Sequence, residues 1–329
     1  MPTRAPARRR SAGGPLLFLL LAVALVVGVV VLVGRGVGPL PDPEGCRVRA
    51  AGTDWELSTE QAENAATIAA VAVRRGLPAR ATSIALTAAY QESKLRNLDR
   101  GDRDSVGLFQ QRPSQGWGTA AQIQRPVYAV NRFYDELQKV DGYQTMRITE
   151  AAQRVQRSGY PEAYQEHAAD GRALASALTG NTRAGFSCVV RSATGLAAQR
   201  EGANGLTPRA ERVRREVERL FGDVPTGGFA AGGVSTGHVE GSAHYDGRAV
   251  DVFVRPISTA NNRRGWAIAS YLVAHAARLH VDHVIFDRRI WSAARSDQGW
   301  RDYDPGSARG DRAVLEHRDH VHVDVERGS

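Results

Sequence analysis

Residues Leu16 to Gly34, LLFLLLAVALVVGVVVLVG, form an unbroken apolar run of 19. At about 1.5 Å of rise per residue, a helix of that length crosses a hydrocarbon core about 30 Å thick. Arg4, Arg8, Arg9 and Arg10 precede the run and only Arg35 follows closely; the side with more positive charge stays cytoplasmic. The expectation is a single-pass anchor: a basic cytoplasmic tail over 1–15, a transmembrane helix over 16–34, and the rest of the chain extracytoplasmic. A cleaved leader is the alternative. The run is long for a leader's core, however, and VGRGVGPLPDPEG offers no small-x-small cleavage site.

That topology governs the two cysteines, Cys46 and Cys188, because disulfides persist outside the cytoplasm. A Cys46–Cys188 bridge is expected. The net charge of +8 and pI near 9.9 suit acidic partners: nucleic acid, anionic lipid or an anionic polymer. Lys94 and Lys139 are the only lysines, so 41 of the 43 basic residues are arginine. That bias reads as high-GC coding, and we infer no nucleic-acid partner from it.

A glycine- and proline-rich stretch over 35–46 reads as a stalk. Residues 193–206, without periodicity, read as a linker between two domains, 47–192 and 207–329. The first reads as all-α. Ser58 with Gln61 makes a capping box, and Gly76 with Pro78 ends the helix that follows. A second helix is expected from Arg80 to Lys94, with others over Tyr128 to Val140, Thr149 to Arg157 and Tyr160 to Leu178. The second domain reads as α+β with an antiparallel sheet. Its helices are a Pro208 to Phe221 helix, capped by Thr207 and ended by Gly222, and one over Trp266 to Leu279; its strands are AVDVFV, HVIFD and VHVDV.

In AVDVFV the valines 250, 252 and 254 share one face and Asp251 takes the other. A carboxylate at mid-strand beside a core is costly unless paired or bound to a cation. His244, in GSAHYDGRAVDVF, lies on a turn broken by Gly247, from which it can fold back toward Asp251. His320 and His322, two apart on a strand, share a face, and eight of the nine histidines lie beyond Gly237. Two histidines and an aspartate with one open position suit a catalytic Zn2+, which activates water and polarises a carbonyl. His275, His280 and His283 read as ordinary structural residues; His238 is ambiguous.

HYDGRAVD, with Ser242 two residues before its histidine, resembles the first motif of the D-alanyl-D-alanine metallopeptidases. DHVH resembles the closing motif of the wider group that includes lysostaphin-type and murein endopeptidases. The resemblance implies a zinc-peptidase-like domain with metal ligands His244, Asp251 and His322. It implies that His320 orients the water or stabilises the oxyanion, that His317 is a further active-site histidine, and that Ser242 contacts substrate. The D-alanyl-D-alanine peptidases carry a catalytic glutamate three residues before the last ligand, where this chain has Asp319. Either Asp319 is the base on a shorter arm, or the arrangement with His320 applies.

In the helical region Glu92, in TAAYQESKLRN, stands at the negative end of a helix macrodipole, a position suited to a general acid. Glu-Ser followed by SVGLFQQ, with Gly107 fifteen positions after Glu92, resembles the signature of lytic transglycosylases and goose-type lysozymes. RSGYPEAYQ resembles their later Tyr-Pro segment, although AAQRVQRSG stands where they carry Tyr-Asn-Ala-Gly. The resemblance implies a lysozyme-like domain in which Glu92 acts as acid and then base, with Ser93 and Gln110 supporting or positioning. Were Asp102 or Asp104 to activate a water, inverting hydrolysis would result.

Both resemblances imply peptidoglycan as the partner, its glycan strands for one domain and its stem peptides for the other. The expectation is a membrane-anchored wall-remodelling enzyme with zinc. A non-catalytic wall-binding scaffold, or a protein in which the zinc peptidase domain alone is active, are the alternatives.

Overall fold

The computed structural model describes Val23, Val26–Gly28 and residues 43–329. The expected tail, and all of the expected anchor except those four residues, lie outside the described residues, as does the stalk up to Asp42. Among the described residues no helix is long and apolar enough to cross a membrane.

Helix α1 (Thr59–Arg74) forms as its ends dictate. Ser58 Oγ accepts from the Gln61 N–H at 3.3 Å while Gln61 Oε1 accepts from the Ser58 N–H at 2.9 Å. Its middle, Ala62 and Asn64–Ala72, is buried. A helix buried on all sides must be central, and α1 packs on α2 (Ala79–Ser93), α3 (Pro126–Leu137) and α5 (Ala168–Leu178), with α4 (Ile148–Gln156) beyond. Alanine-rich faces let these axes approach closely. Where a continuous helix was expected over Tyr160 to Leu178, Pro161–His167 is a 3-10 turn leading into α5.

The all-α expectation for this part is corrected by a three-stranded antiparallel sheet at its edge, in the order β2-β1-β3: β1 (Gly45–Ala50), β2 (Thr53–Leu57) and β3 (Phe186–Val189). Cys46, Val48 and Ala50 face inward and alternate with exposed Arg47 and Arg49, the period of a half-buried strand. Cys46 lies directly opposite Cys188, and the two are joined by a disulfide.

After a stretch without regular elements, α6 (Pro208–Phe221) leads into a six-stranded antiparallel sheet. It comprises β4 (Thr226–Gly227), β5 (Ala249–Phe253), β6 (Val281–Phe286), β7 (Arg289–Ser292), β8 (Arg301–Asp302) and β9 (His320–Val325), in the order β4-β5-β9-β6-β7-β8. The C-terminal strand β9 inserts between β5 and β6, so His322, Val323 and Asp324 have a paired residue on both sides. Helix α7 (Thr259–Ala274) begins seven residues earlier than expected, because Ser258 Oγ caps it by accepting from Asn261 N–H at 3.2 Å.

Alternation gives this sheet two unlike faces. Val250, Val252, Val321, Val323 and Val284 point toward α6 and α7, where they are buried with Trp266 and Phe286. At about 25 cal/mol per Å2 of apolar surface, such a layer supplies most of the drive to fold. Asp251, Phe253, His320, His322, Asp324 and His283 occupy the other face. Residues 44–329 form one compact unit whose buried apolar residues make a single continuous cluster. Trp291 Nε1 donates to Cys188 O at 3.1 Å and Trp300 Nε1 to Phe186 O at 2.8 Å, tying β3 to the second sheet.

Candidate functional site

The polar face of the sheet is built by register. Asp251 on β5 pairs directly with His322 on β9, and Phe253 with His320. His244 comes from the 3-10 turn Ala243–Asp246, opened by Ser242, whose Oγ accepts from the His244 N–H at 3.4 Å, and closed by Gly247 at φ +62°. The turn folds His244 back over Asp251. His244 Nε2 lies 3.1 Å from His322 Nδ1 and 3.3 Å from Asp251 Oδ1, and His322 Nδ1 lies 3.1 Å from the same oxygen.

Three donor atoms so arranged can be tested against a metal. Tetrahedral ligands about 2.0–2.1 Å from an ion stand about 3.3 Å apart. The outer nitrogens are also arranged as ligating histidines need: His244 Nδ1 is 2.7 Å from the Gly228 carbonyl, and His322 Nε2 is 3.2 Å from Asp324 Oδ2. Asp324 Oδ1 in turn lies 3.1 Å from His283 Nδ1. His244, Asp251 and His322 fit the group. His238, His244 and Asp251 also form a set whose ligand atoms all lie within 4.8 Å of one another, as do Asp282, His283 and Asp324.

The electrostatics favour a cation. Burial opposes the charge on His322, but its bonds to Asp251 and Asp324 overcome this and raise it to about 9. Burial likewise disfavours the Asp251 carboxylate, yet the His244 and His322 hydrogen bonds hold it well below the usual range. The carboxylates that favour an imidazolium at His322 equally favour a divalent ion at its Nδ1.

Beside this centre stand the other expected residues. His320 Nε2 is 3.7 Å from Asp251 Oδ1, and its Nδ1 is 2.7 Å from Asp319 Oδ1. The second oxygen of Asp319 accepts from Arg255 at 2.6 Å. Both Asp319 oxygens are therefore occupied, and the carboxylate stands behind His320, on the side away from the ligand cluster. The His317 ring lies 4.7 Å from that of His320 and meets Tyr303 edge-on. Burial, reinforced by His320 and His322, pushes His317 down to about 3, so it is a neutral imidazole.

The second expected site is supported from α1. The end of α2 leaves carbonyls without helical partners; Gln61 Nε2 donates to Lys94 O at 2.9 Å and Asn64 Nδ2 to Leu95 O at 2.8 Å. This fixes the turn that carries Glu92. Glu92 is half-buried and accepts a hydrogen bond from the hydroxyl of Tyr164, within the Tyr-Pro segment. Ser93 Oγ lies 2.7 Å from Leu108 O and joins the helix end to the Gly-Leu-Phe-Gln loop. Gln110, at φ +47°, donates from Nε2 to Gly107 O at 3.2 Å. Asp104 is occupied by the Ser114 N–H and by Arg112, which hold it below the usual carboxylate range, while the Asp102 side chain is 93% exposed.

The sequence alone assigns no role to Asp324, Gly228, Arg255 or Tyr164, and His283, expected to be an ordinary structural residue, instead lies 3.1 Å from Asp324 Oδ1 behind the centre. Asp324 continues the spacing of two from His320 and His322, a signal present in HVHVDV; the other four are brought in by the fold. A family model described as VldE, C-terminal domain matches residues 202–313. The matched stretch contains His238, His244 and Asp251 and ends before His317, His320 and His322. No curated protein matches the chain.

Proposed function

We propose that this chain is a membrane-anchored, extracytoplasmic enzyme of peptidoglycan remodelling, whose C-terminal part is a zinc-dependent peptidase acting on stem peptides. The observation that carries the reading is the convergence of His244 Nε2, His322 Nδ1 and Asp251 Oδ1 to within 3.3 Å of one another. Bound there, Zn2+ would supply Lewis-acid polarisation of the scissile amide carbonyl. The chain's own groups do the rest. Gly228 and Asp324 fix the two imidazoles so that one nitrogen of each faces the site. His320, turned by Asp319 and Arg255, presents Nε2 beside the ligands, where it takes the proton of an attacking water and returns it to the leaving amine. With both oxygens of Asp319 engaged, we assign the base to His320. Neutral His317 gives its one N–H to the Leu315 carbonyl, which leaves its other nitrogen an acceptor beside His320.

For the helical part we propose cleavage of the glycan strand, with Glu92 as acid and then base. Support comes from the Tyr164 hydroxyl on Glu92 and from Ser93 locking the loop that follows.

Two experiments test these readings. Zinc content and muropeptide cleavage are measured for the full chain, His244→Ala and His322→Ala. About one zinc per chain in the parent, its loss in both variants and loss of cleavage with it are expected. Full zinc loading without cleavage of any stem peptide would favour a wall-binding scaffold. For the glycan reaction, digested wall should yield anhydro-muropeptides that vanish with Glu92→Gln; their absence with the parent protein overturns that assignment.

A further inference from the structure

The helical part and the C-terminal part meet around a cavity of about 690 Å3, walled by α1, the start of α3, α6 and α7. That volume suits a small molecule or a short peptide. Much of the charge on its wall is spent internally: Glu216 accepts from the Tyr271 hydroxyl at 2.6 Å, from Arg278 at 2.7 Å and from Arg219 at 2.9 Å. Glu63, Arg125 and His275 differ. The Glu63 carboxylate is half-buried, which disfavours its charge, and it makes no hydrogen bond and no ion pair among the described residues. The exposed Arg125 guanidinium likewise makes neither, and lies 5.7 Å from the Tyr128 ring centroid.

His275 is buried, its ring stacked on that of Tyr271 with centroids 4.0 Å apart. Its Nδ1 stands 2.9 Å from the Tyr271 carbonyl, which can only accept, so Nδ1 carries the proton. Burial holds the pKa down to about 3, and the ring is neutral. Nε2 is therefore a bare acceptor, and it makes no hydrogen bond among the described residues. A buried acceptor left unmet is costly, so one on a cavity wall is met by whatever enters the cavity. Among the described residues Glu63 and His275 belong to no set of three possible ligand atoms within 4.8 Å of one another, so a divalent ion does not fit here.

The unmet groups are thus two acceptors and a cation, and an occupant that satisfies them brings N–H donors at one end and an anion at the other. We propose that this cavity binds a short peptide with a free amino group and a free carboxylate: the ammonium pairs with Glu63, a main-chain N–H donates to His275 Nε2, and the carboxylate meets Arg125. A free amino acid carries both charges but no peptide N–H, and it fills only a small part of about 690 Å3. The inference stands apart from the zinc and glycan-cleavage readings, because none of the residues assigned to either reaction lines the cavity.

Isothermal titration calorimetry of the full chain with trialanine tests this. Trialanine should bind, with N-acetyl-trialanine, trialanine amide and alanine each at least about 10-fold weaker, the scale of one lost hydrogen bond to a charged group. Glu63→Gln and Arg125→Gln should each weaken trialanine binding by about the same factor, and in Glu63→Gln the acetylated probe should bind no worse than the free one. His244→Ala should bind trialanine as the parent does. No binding by the parent, equal binding of trialanine and its acetylated form, alanine bound as tightly as trialanine, or parental affinity in both Glu63→Gln and Arg125→Gln overturns the proposal; the probe comparisons need no substitution, so they decide even where a variant folds poorly. Loss of trialanine binding in His244→Ala puts the peptide at the metal centre and equally overturns it. A chain that holds no zinc yet binds trialanine with these dependences refutes the metal reading and leaves this site standing.

Discussion

Gly228→Ala probes the centre without touching a ligand. Gly228 has φ +78°, and its carbonyl accepts from His244 Nδ1 at 2.7 Å. A Cβ built there would stand 2.3 Å from His244 Cε1, 2.5 Å from Nδ1 and 3.0 Å from Asp251 Oδ2. Carbon atoms rest about 3.5 Å apart, so the imidazole must retreat by about 1.2 Å or the backbone must move and break the bond to Nδ1. Ligand distances in a working site hold to about 0.2 Å; either movement exceeds that several times over. The expected result is a rise in zinc Kd of at least about 100-fold, equivalent to about 2.7 kcal/mol, read by competition against a chromophoric chelator. Alanine in the left-handed region also costs about 1–2 kcal/mol of fold stability. Gly232→Ala separates the two effects: Gly232 has φ +83° and nothing within 4 Å of its Cβ, so it should lose the stability and keep the affinity. Zinc binding by Gly228→Ala equal to the parent's, or an equal loss in Gly232→Ala, would refute the close-approach argument.

Replacing both Cys46 and Cys188 by alanine opens a loop of sequence separation 142; the chain-entropy relation gives a loss of about 5 kcal/mol, to be read as a shift in urea midpoint. Asp324→Asn keeps the size of the residue that holds His322 Nε2 but removes its charge, and should weaken zinc binding by about 10- to 100-fold, with an unchanged zinc Kd counting against the relay. His275 is buried and held down to about 3, chiefly by desolvation and then by Arg278. The unfolded chain takes up its proton near 6.5 and the folded chain near 3, so this residue costs nothing above pH 6.5 and up to about 1.4 kcal/mol per pH unit as pH falls below it. His275→Gln should flatten the stability profile between pH 6 and 4 by that slope; an unchanged slope would show that His275 titrates normally.

What the sequence discloses about this molecule follows from which interactions are local. The capping box of Ser58 and Gln61, the stop at Gly222 and the two-residue alternation of AVDVFV and HVHVDV depend on near neighbours, and each appears in the structure where local chemistry puts it. The alternation of Cys46, Val48 and Ala50 against Arg47 and Arg49 was equally local. The helical stretch that follows masks it, so the local pattern alone does not disclose the small sheet. The early start of α7 belongs to the same class, since Ser258 and Asn261 are three apart.

His283 and Gly228 illustrate the other class. His283 reaches Asp324 only because β9, the last strand, inserts beside β6, with a register irregularity between Val281 and His283 that turns the histidine onto the polar face. No periodicity in VDHVIF discloses a register set by a partner about forty residues away. Gly228 serves the site through its missing Cβ and its carbonyl, properties that depend on where His244 folds back. The ligands themselves were legible because a strand cannot bury a carboxylate unpaired: Asp251 requires a positive partner, and antiparallel pairing sets His322 directly opposite. The groups that tune such a centre are satisfied by ordinary hydrogen bonds and leave no comparable conflict in the sequence. Fold specificity and chemical specificity thus meet on β9, where a one-residue slip would carry His320, His322 and Asp324 to the apolar face and place Val321 and Val323 at the ligand positions.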